Sequence, residues 1–128
     1  MIQEYFSMTK QTKIPEIKVD ELLSTIDNIR WENGYGFSYN GTSYLLFLLT
    51  LAEHEQNESH EEAEYFESTG GTDGWDIYLL ETLSEEKRKK KLFHEIAECN
   101  LRDQYFSNSE AHQIALIAEQ HIFGQRET

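Results

Sequence analysis

Cysteine occurs once in this 128-residue chain, at Cys99, and proline once, at Pro15. A single thiol excludes an intramolecular disulfide and a cysteine-based zinc site, and it favours an intracellular reading. Long hydrophobic runs are also missing. The longest, YLLFLLTLA from Tyr44 to Ala52, falls far short of the roughly 20 apolar residues that a membrane span needs. Neither end reads as a cleavable secretory signal, so the expected location is cytoplasmic. Basic residues are scarce as well. Eleven Lys and Arg against 24 Asp and Glu leave a formal net charge of −13. A field of that sign repels phosphate backbones, so neither nucleic acid nor membrane is expected as a partner. The one basic cluster, KRKKK from Lys87 to Lys91, spreads around more than a full helical turn and reads as a solvated helix face.

What is present suffices for one folded domain, with 38% apolar and 12% aromatic residues. Residues 1–17 read as an irregular lead-in and 18–124 as a single α+β domain. Asp20 is placed to cap a helix through ELLSTIDNIR, where Leu22, Leu23, Ile26 and Ile29 recur at helical spacing. After the break at Glu32 to Gly36, YGFSY and TSYLLFLL flank Asn40-Gly41, a dipeptide that tolerates positive φ at both positions and so predicts a hairpin. The second arm is apolar throughout, as a buried central strand would be, although a helix competes for residues 44–55. EHEQNESHEEAEYFES, with His54 and His60, reads as a flexible acidic loop, and a weak divalent-ion site is the alternative. TGGTDG is a loop and WDIYLL, Trp75 to Leu80, a strand. Thr82 and Glu85 have capping-box spacing ahead of a long helix, and Ser107 and Glu110 repeat it ahead of a last helix that Gly124 ends. The expected order is α-β-β-β-α-α: an N-terminal helix, a small three-stranded antiparallel-type sheet and two C-terminal helices packed on it.

The stretch richest in chemistry is LFHEIAECN, Leu92 to Asn100. His94 and Glu98 are one turn apart on one helix face, bordering an apolar arc of Leu92, Phe93, Ile96, Ala97 and Leu101. On the last helix His112 and Glu119, seven residues apart, share a face with Ala115. Antiparallel packing of the two helices through their alanines would bring His112 toward His94 and Glu98. Imidazole and carboxylate donors suit Zn²⁺, Mn²⁺ or Fe²⁺, so His94, Glu98, His112 and Glu119 form the candidate set for one divalent metal, zinc foremost. Glu95, rotated off that face, is then the candidate general base. Each residue also has an ordinary reading: His94 as a hydrogen-bonded structural histidine, and Glu95 and Glu98 as partners of Lys91 and Arg102 at four-residue spacing. Cys99 reads as a small buried residue.

The element order and the run WDIYLLETLSEEKRKKKLFHEIAE resemble the minimal zincin-like fold, the small metallopeptidase-type domains of the ImmA/IrrE class. The resemblance covers roughly residues 18 to 124. It implies His94 as first metal ligand, Glu95 as catalytic base and metal-assisted hydrolysis of a peptide bond. The chain departs from the HExxH pattern at one ligand, where Glu98 stands in place of the second histidine. A degenerate, non-catalytic relative is the second form of this reading.

A competing class is a small acidic interaction protein of the immunity or antitoxin type. The charge of −13 and the Glu-rich segment Glu53 to Glu67 would steer it to a basic protein partner. Oligomeric state stays open.

Overall fold

The computed structural model describes residues 14–56, 62–68 and 74–124. Eight elements follow in order: α1 (Val19–Asn28), β1 (Tyr35–Tyr39), β2 (Thr42–Leu49), α2 (Leu51–Gln56), β3 (Ala63–Glu67), β4 (Trp75–Leu80), α3 (Glu85–Asp103) and α4 (Asn108–Phe123). The class is α+β, but the sheet has four strands rather than three and is mixed rather than antiparallel. Its order is β1-β2-β4-β3, with β2 parallel to β4 and both outer pairs antiparallel. The extra strand, β3, comes from the acidic stretch expected to be a loop. His60 and most of TGGTDG lie outside the described residues.

Local chemistry accounts for much of this. Asn40 and Gly41 sit at φ 47° and 83°, as a two-residue type I′ hairpin turn demands, and they set the β1–β2 register. The apolar run of β2 stays extended to Leu49, and the competing helix is confined to Leu51–Gln56. Helix α1 begins after Lys18 with no side-chain cap, so Asp20 lies inside the first turn instead of capping it. The cap of α3 is Ser84, whose hydroxyl accepts from the Lys87 N–H. Thr82 is therefore two residues early, because Leu83 turns into the core at 5% exposure before the helix starts. At α4 the Ser107/Glu110 capping box forms in both directions, and Gly124 ends the helix at φ 82°.

One face of the sheet carries Tyr44, Leu46, Trp75, Ile77 and Leu79, all buried, and the long helices cover it. Helix α3 packs against α1, β2, β3, β4 and α4, with Phe93, Ile96 and Leu101 at zero exposure. Each such side chain contributes about 1.5–3 kcal/mol by burial. A buried polar knot fixes the rotation of α3. Asn100 Nδ2 donates to the Thr42 hydroxyl (2.7 Å) and the Asn40 carbonyl (3.2 Å), while its Oδ1 accepts from Asn40 and Gln104. Asp103 accepts from the Thr42 hydroxyl at 2.8 Å and the Trp75 indole at 3.2 Å. With Asn100 tied to the hairpin tip, the row His94, Glu98 and Arg102 faces α4 and β3.

The basic cluster lies at the surface, as expected, with Lys87 and Lys89 exposed. Arg88 lies over the Trp31 ring at 4.2 Å and donates to the Leu83 carbonyl, and Lys87 and Lys91 reach toward Glu62. Among the described residues no helix is long and apolar enough to cross a membrane.

Candidate metal centre

Two rows of side chains meet where α3 and α4 run antiparallel. Ala97, Ala111 and Ala115 are buried to 1% or less, and their small size lets the helix backbones approach. From α3 come His94, Glu98 and Arg102, and from α4 Glu119, His112 and Asn108, in reverse order. His94 Nε2 lies 2.9 Å from Glu98 Oε1, His112 Nδ1 lies 3.0 Å from the same oxygen, and the two nitrogens are 3.3 Å apart. Among the described residues these three form the group whose donor atoms all converge.

Glu119 stands elsewhere than in that triangle. Its Oε1 is 2.9 Å from His94 Nδ1, the ring nitrogen turned away from Glu98 and His112. One imidazole cannot offer both nitrogens to one ion, so Glu119 orients His94 instead of joining its partners at a common point. A residue that sequence reasoning missed completes the cluster. Tyr65, on β3, donates its hydroxyl proton to Glu98 Oε2 at 2.5 Å, and the Tyr65 hydroxyl oxygen also lies 2.8 Å from Asn108 Oδ1. Its ring meets Trp75 edge-on at 5.3 Å. Within AEYFE, the alternation that places Tyr65 and Ala63 on the inner face was the available signal, but glutamates on both sides masked it.

The protonation pattern follows from these contacts. Both His94 nitrogens face carboxylate oxygens, which calls for an N–H on each and hence an imidazolium in the metal-free protein. Burial works against that charge. The hydrogen bond to Glu98 and the charges of Glu95, Glu98 and Glu119 outweigh it and raise the His94 pKa above 6.5. Burial alone would lift the Glu98 carboxyl, yet hydrogen bonds from His94, Tyr65 and His112 hold it below 4.5. The Tyr65 phenol is pushed up by burial and by the adjacent Glu98 carboxylate.

The triangle fits a single cation. With sides of 2.9, 3.0 and 3.3 Å, its circumradius is about 1.8 Å, inside the zinc–nitrogen and zinc–oxygen bond length of about 2.0–2.2 Å. All three donors can therefore be reached from one point. Exposure is graded across the site: the Glu98 side chain is 6% exposed, His94 12% and His112 55%. Glu95 is buried at 9% beside His94, and its charge acts on that ring. The four-residue pairing with Arg102 provides none of the hydrogen bonds of Glu98 given above, since Arg102 Nη1 contacts Tyr65 and Asn108. His54 and His121 stand apart, on α2 and the last turn of α4. Cys99 is fully buried, and burial pushes its thiol well up, which keeps it protonated and inert. No family model, curated protein or solved structure matches this chain.

Proposed function

We propose that this chain binds one divalent metal ion, zinc foremost, between α3 and α4, and that it hydrolyses peptide bonds there. The observation that carries the reading is the convergence of His94 Nε2, Glu98 Oε1 and His112 Nδ1 within 3.3 Å of one another. Two imidazoles and one carboxylate with an open position are a donor set of catalytic rather than structural sites. When bound there, the ion supplies Lewis acidity and a water whose pKa falls to about 7. In this reading the chain is a zincin-like domain in which Glu98 takes the place of the second HExxH histidine.

The protein's own residues have distinct tasks. Glu119 accepts from His94 Nδ1–H, which leaves Nε2 to face the site as the donor nitrogen. Tyr65 holds Glu98 Oε2, which keeps Oε1 turned toward the two histidines. Glu95 takes the proton of the attacking water and returns it to the leaving amine. Metal content by mass spectrometry and titration calorimetry with Zn²⁺, Mn²⁺ and Fe²⁺ test the first half. A quenched-fluorescence peptide mixture tests the second. Glu95→Gln should keep the metal and lower hydrolysis by about 10²–10⁴-fold. A protein that binds none of the three ions and shows no thermal shift with them refutes the reading.

A further inference from the structure

The polar seam between α3 and α4 does not stop at Glu98. It continues through Tyr65 to Arg102, one turn further along α3, and Arg102 lines a cavity of about 630 Å³. That volume lies in the range of ligand sites, about 300–1,000 Å³. Its walls are Thr42 and Ser43 at the start of β2, Glu67 and Ser68 at the end of β3, Trp75 at the start of β4, and Arg102. The guanidinium sits 5.4 Å from the Trp75 ring centroid, and its Nη1 has only long contacts, 3.4 Å, to the Tyr65 hydroxyl and Asn108 Oδ1. In a chain with 24 acidic residues, no carboxylate among the described residues lies within salt-bridge distance of it. The nearby Asp103 is already engaged by Thr42 and Trp75. A planar guanidinium held by an indole, with its donors spare and a cavity before it, is built to take a planar oxyanion.

We propose that Arg102 binds the free C-terminal carboxylate of a peptide, which makes the chain specific for peptide C-termini. This rests on the metal-hydrolase reading above. A monoanion is favoured over a phosphate dianion because Glu67 and Asp103 share the cavity and the whole protein is acidic. The spacing sets the cut. Glu98 and Arg102 are four residues apart on α3, about 6 Å of helix rise. An extended chain covers that distance in about two residues at 3.3–3.6 Å each. With its carboxylate on Arg102, a peptide brings one of its last two peptide bonds to the metal centre. There the C–N bond breaks, the hydroxyl of water goes to the acyl carbon and its proton to the leaving amine. The released fragment keeps its carboxylate on Arg102.

The test uses the full chain loaded with zinc and compares binding of N-acetyl-dialanine with its C-terminal amide by calorimetry, with metal content measured on the same samples. The free acid should bind about 10- to 100-fold more tightly than the amide, the range of a charge-assisted pair. Arg102→Gln should abolish that preference at unchanged zinc content, and Arg102→Lys should retain part of it. Equal binding of acid and amide by a zinc-loaded wild type overturns the proposal and leaves the metal centre standing. So does a preference that survives Arg102→Gln. If the wild type takes up no zinc, the hydrolase reading falls, and the acid-over-amide preference and its loss in Arg102→Gln then decide the carboxylate site alone.

Discussion

His112→Ala distinguishes a metal centre from a set of structural ion pairs. His112 is the exposed member of the triangle, 55% accessible against 6% for Glu98. Its bond to Glu98 Oε1 is therefore worth little to the fold, about 0.2–1 kcal/mol for an exposed pair. Alanine recovers a few tenths through its higher helix propensity. The urea midpoint of the metal-free variant, measured in EDTA, should correspond to a stability within about 0.5 kcal/mol of wild type. Metal affinity should respond very differently. A closed four-ligand zinc site is worth about 10–16 kcal/mol. One ligand position then accounts for about 2.5–4 kcal/mol, or a roughly 60- to 1,000-fold weaker Kd. Competition with a chromogenic zinc chelator near neutral pH reads that change directly. His121→Ala, on the same helix but outside the cluster, serves as the control and should alter neither quantity. A His112→Ala protein that binds zinc within threefold of wild type refutes the ligand assignment. A loss of more than 2 kcal/mol in the metal-free variant would show that the cluster serves the fold instead.

Two further outcomes follow from the same geometry. The first concerns pH. His94 has a folded pKa raised above 6.5, so its stabilisation is complete below 6.5 and is lost as pH rises through the folded value. Glu98 has a folded pKa lowered below 4.5, so its share is present above 4.5 and is lost as pH falls through the folded value. The urea midpoint in EDTA should thus be highest between about pH 4.5 and 6.5 and decline on both sides, and Glu98→Gln should flatten the acid limb. Zinc affinity should instead rise as pH climbs past the His94 value, because binding displaces its Nε2 proton. A midpoint that climbs steadily from pH 6.5 to 9 contradicts the imidazolium. The second concerns Asn100→Leu, which leaves Asn40, Thr42 and Gln104 without their buried partner. It should cost about 3 kcal/mol or more in urea denaturation, and a loss below 1 kcal/mol would remove the polar knot from the account.

The parts of the fold legible in the sequence are those whose cause is local. Asn40-Gly41 dictates its own turn, WDIYLL declares a strand by composition, and Ser107 with Glu110 sets the start of α4 within four residues. Strand β3 has no such local cause. Phe66 and Glu67 are exposed, and the strand exists because Ala63 to Glu67 pair with Leu79 to Trp75, across the chain in the next strand. A mixed sheet is hidden for the same reason. Whether β4 lies beside β1 or β2, and in which direction, depends on where β3 is accommodated between them in the chain. Competition between Thr82 and Ser84 for the cap is likewise decided outside the segment, by the burial of Leu83.

At the candidate site, helical spacing carried the reasoning as far as a single element can reach. It placed His94 and Glu98 on one face, and the alanines of α3 and α4 foretold the approach of His112. What spacing could not supply was the reason a glutamate stands at position 98. Tyr65 provides it, from the strand that was missed. A carboxylate has two oxygens: Oε1 accepts from both histidines while Oε2 accepts the Tyr65 proton. An imidazole at 98 would have to keep one nitrogen unprotonated for the metal and would carry its proton on the other, so it would donate to the tyrosine instead of accepting from it. The charge would change as well, since a neutral ring beside the His94 imidazolium would leave Glu119 as the only carboxylate bonded to it. Glu98 and Tyr65 therefore act as one unit, because a histidine at position 98 would meet the phenol with the wrong polarity.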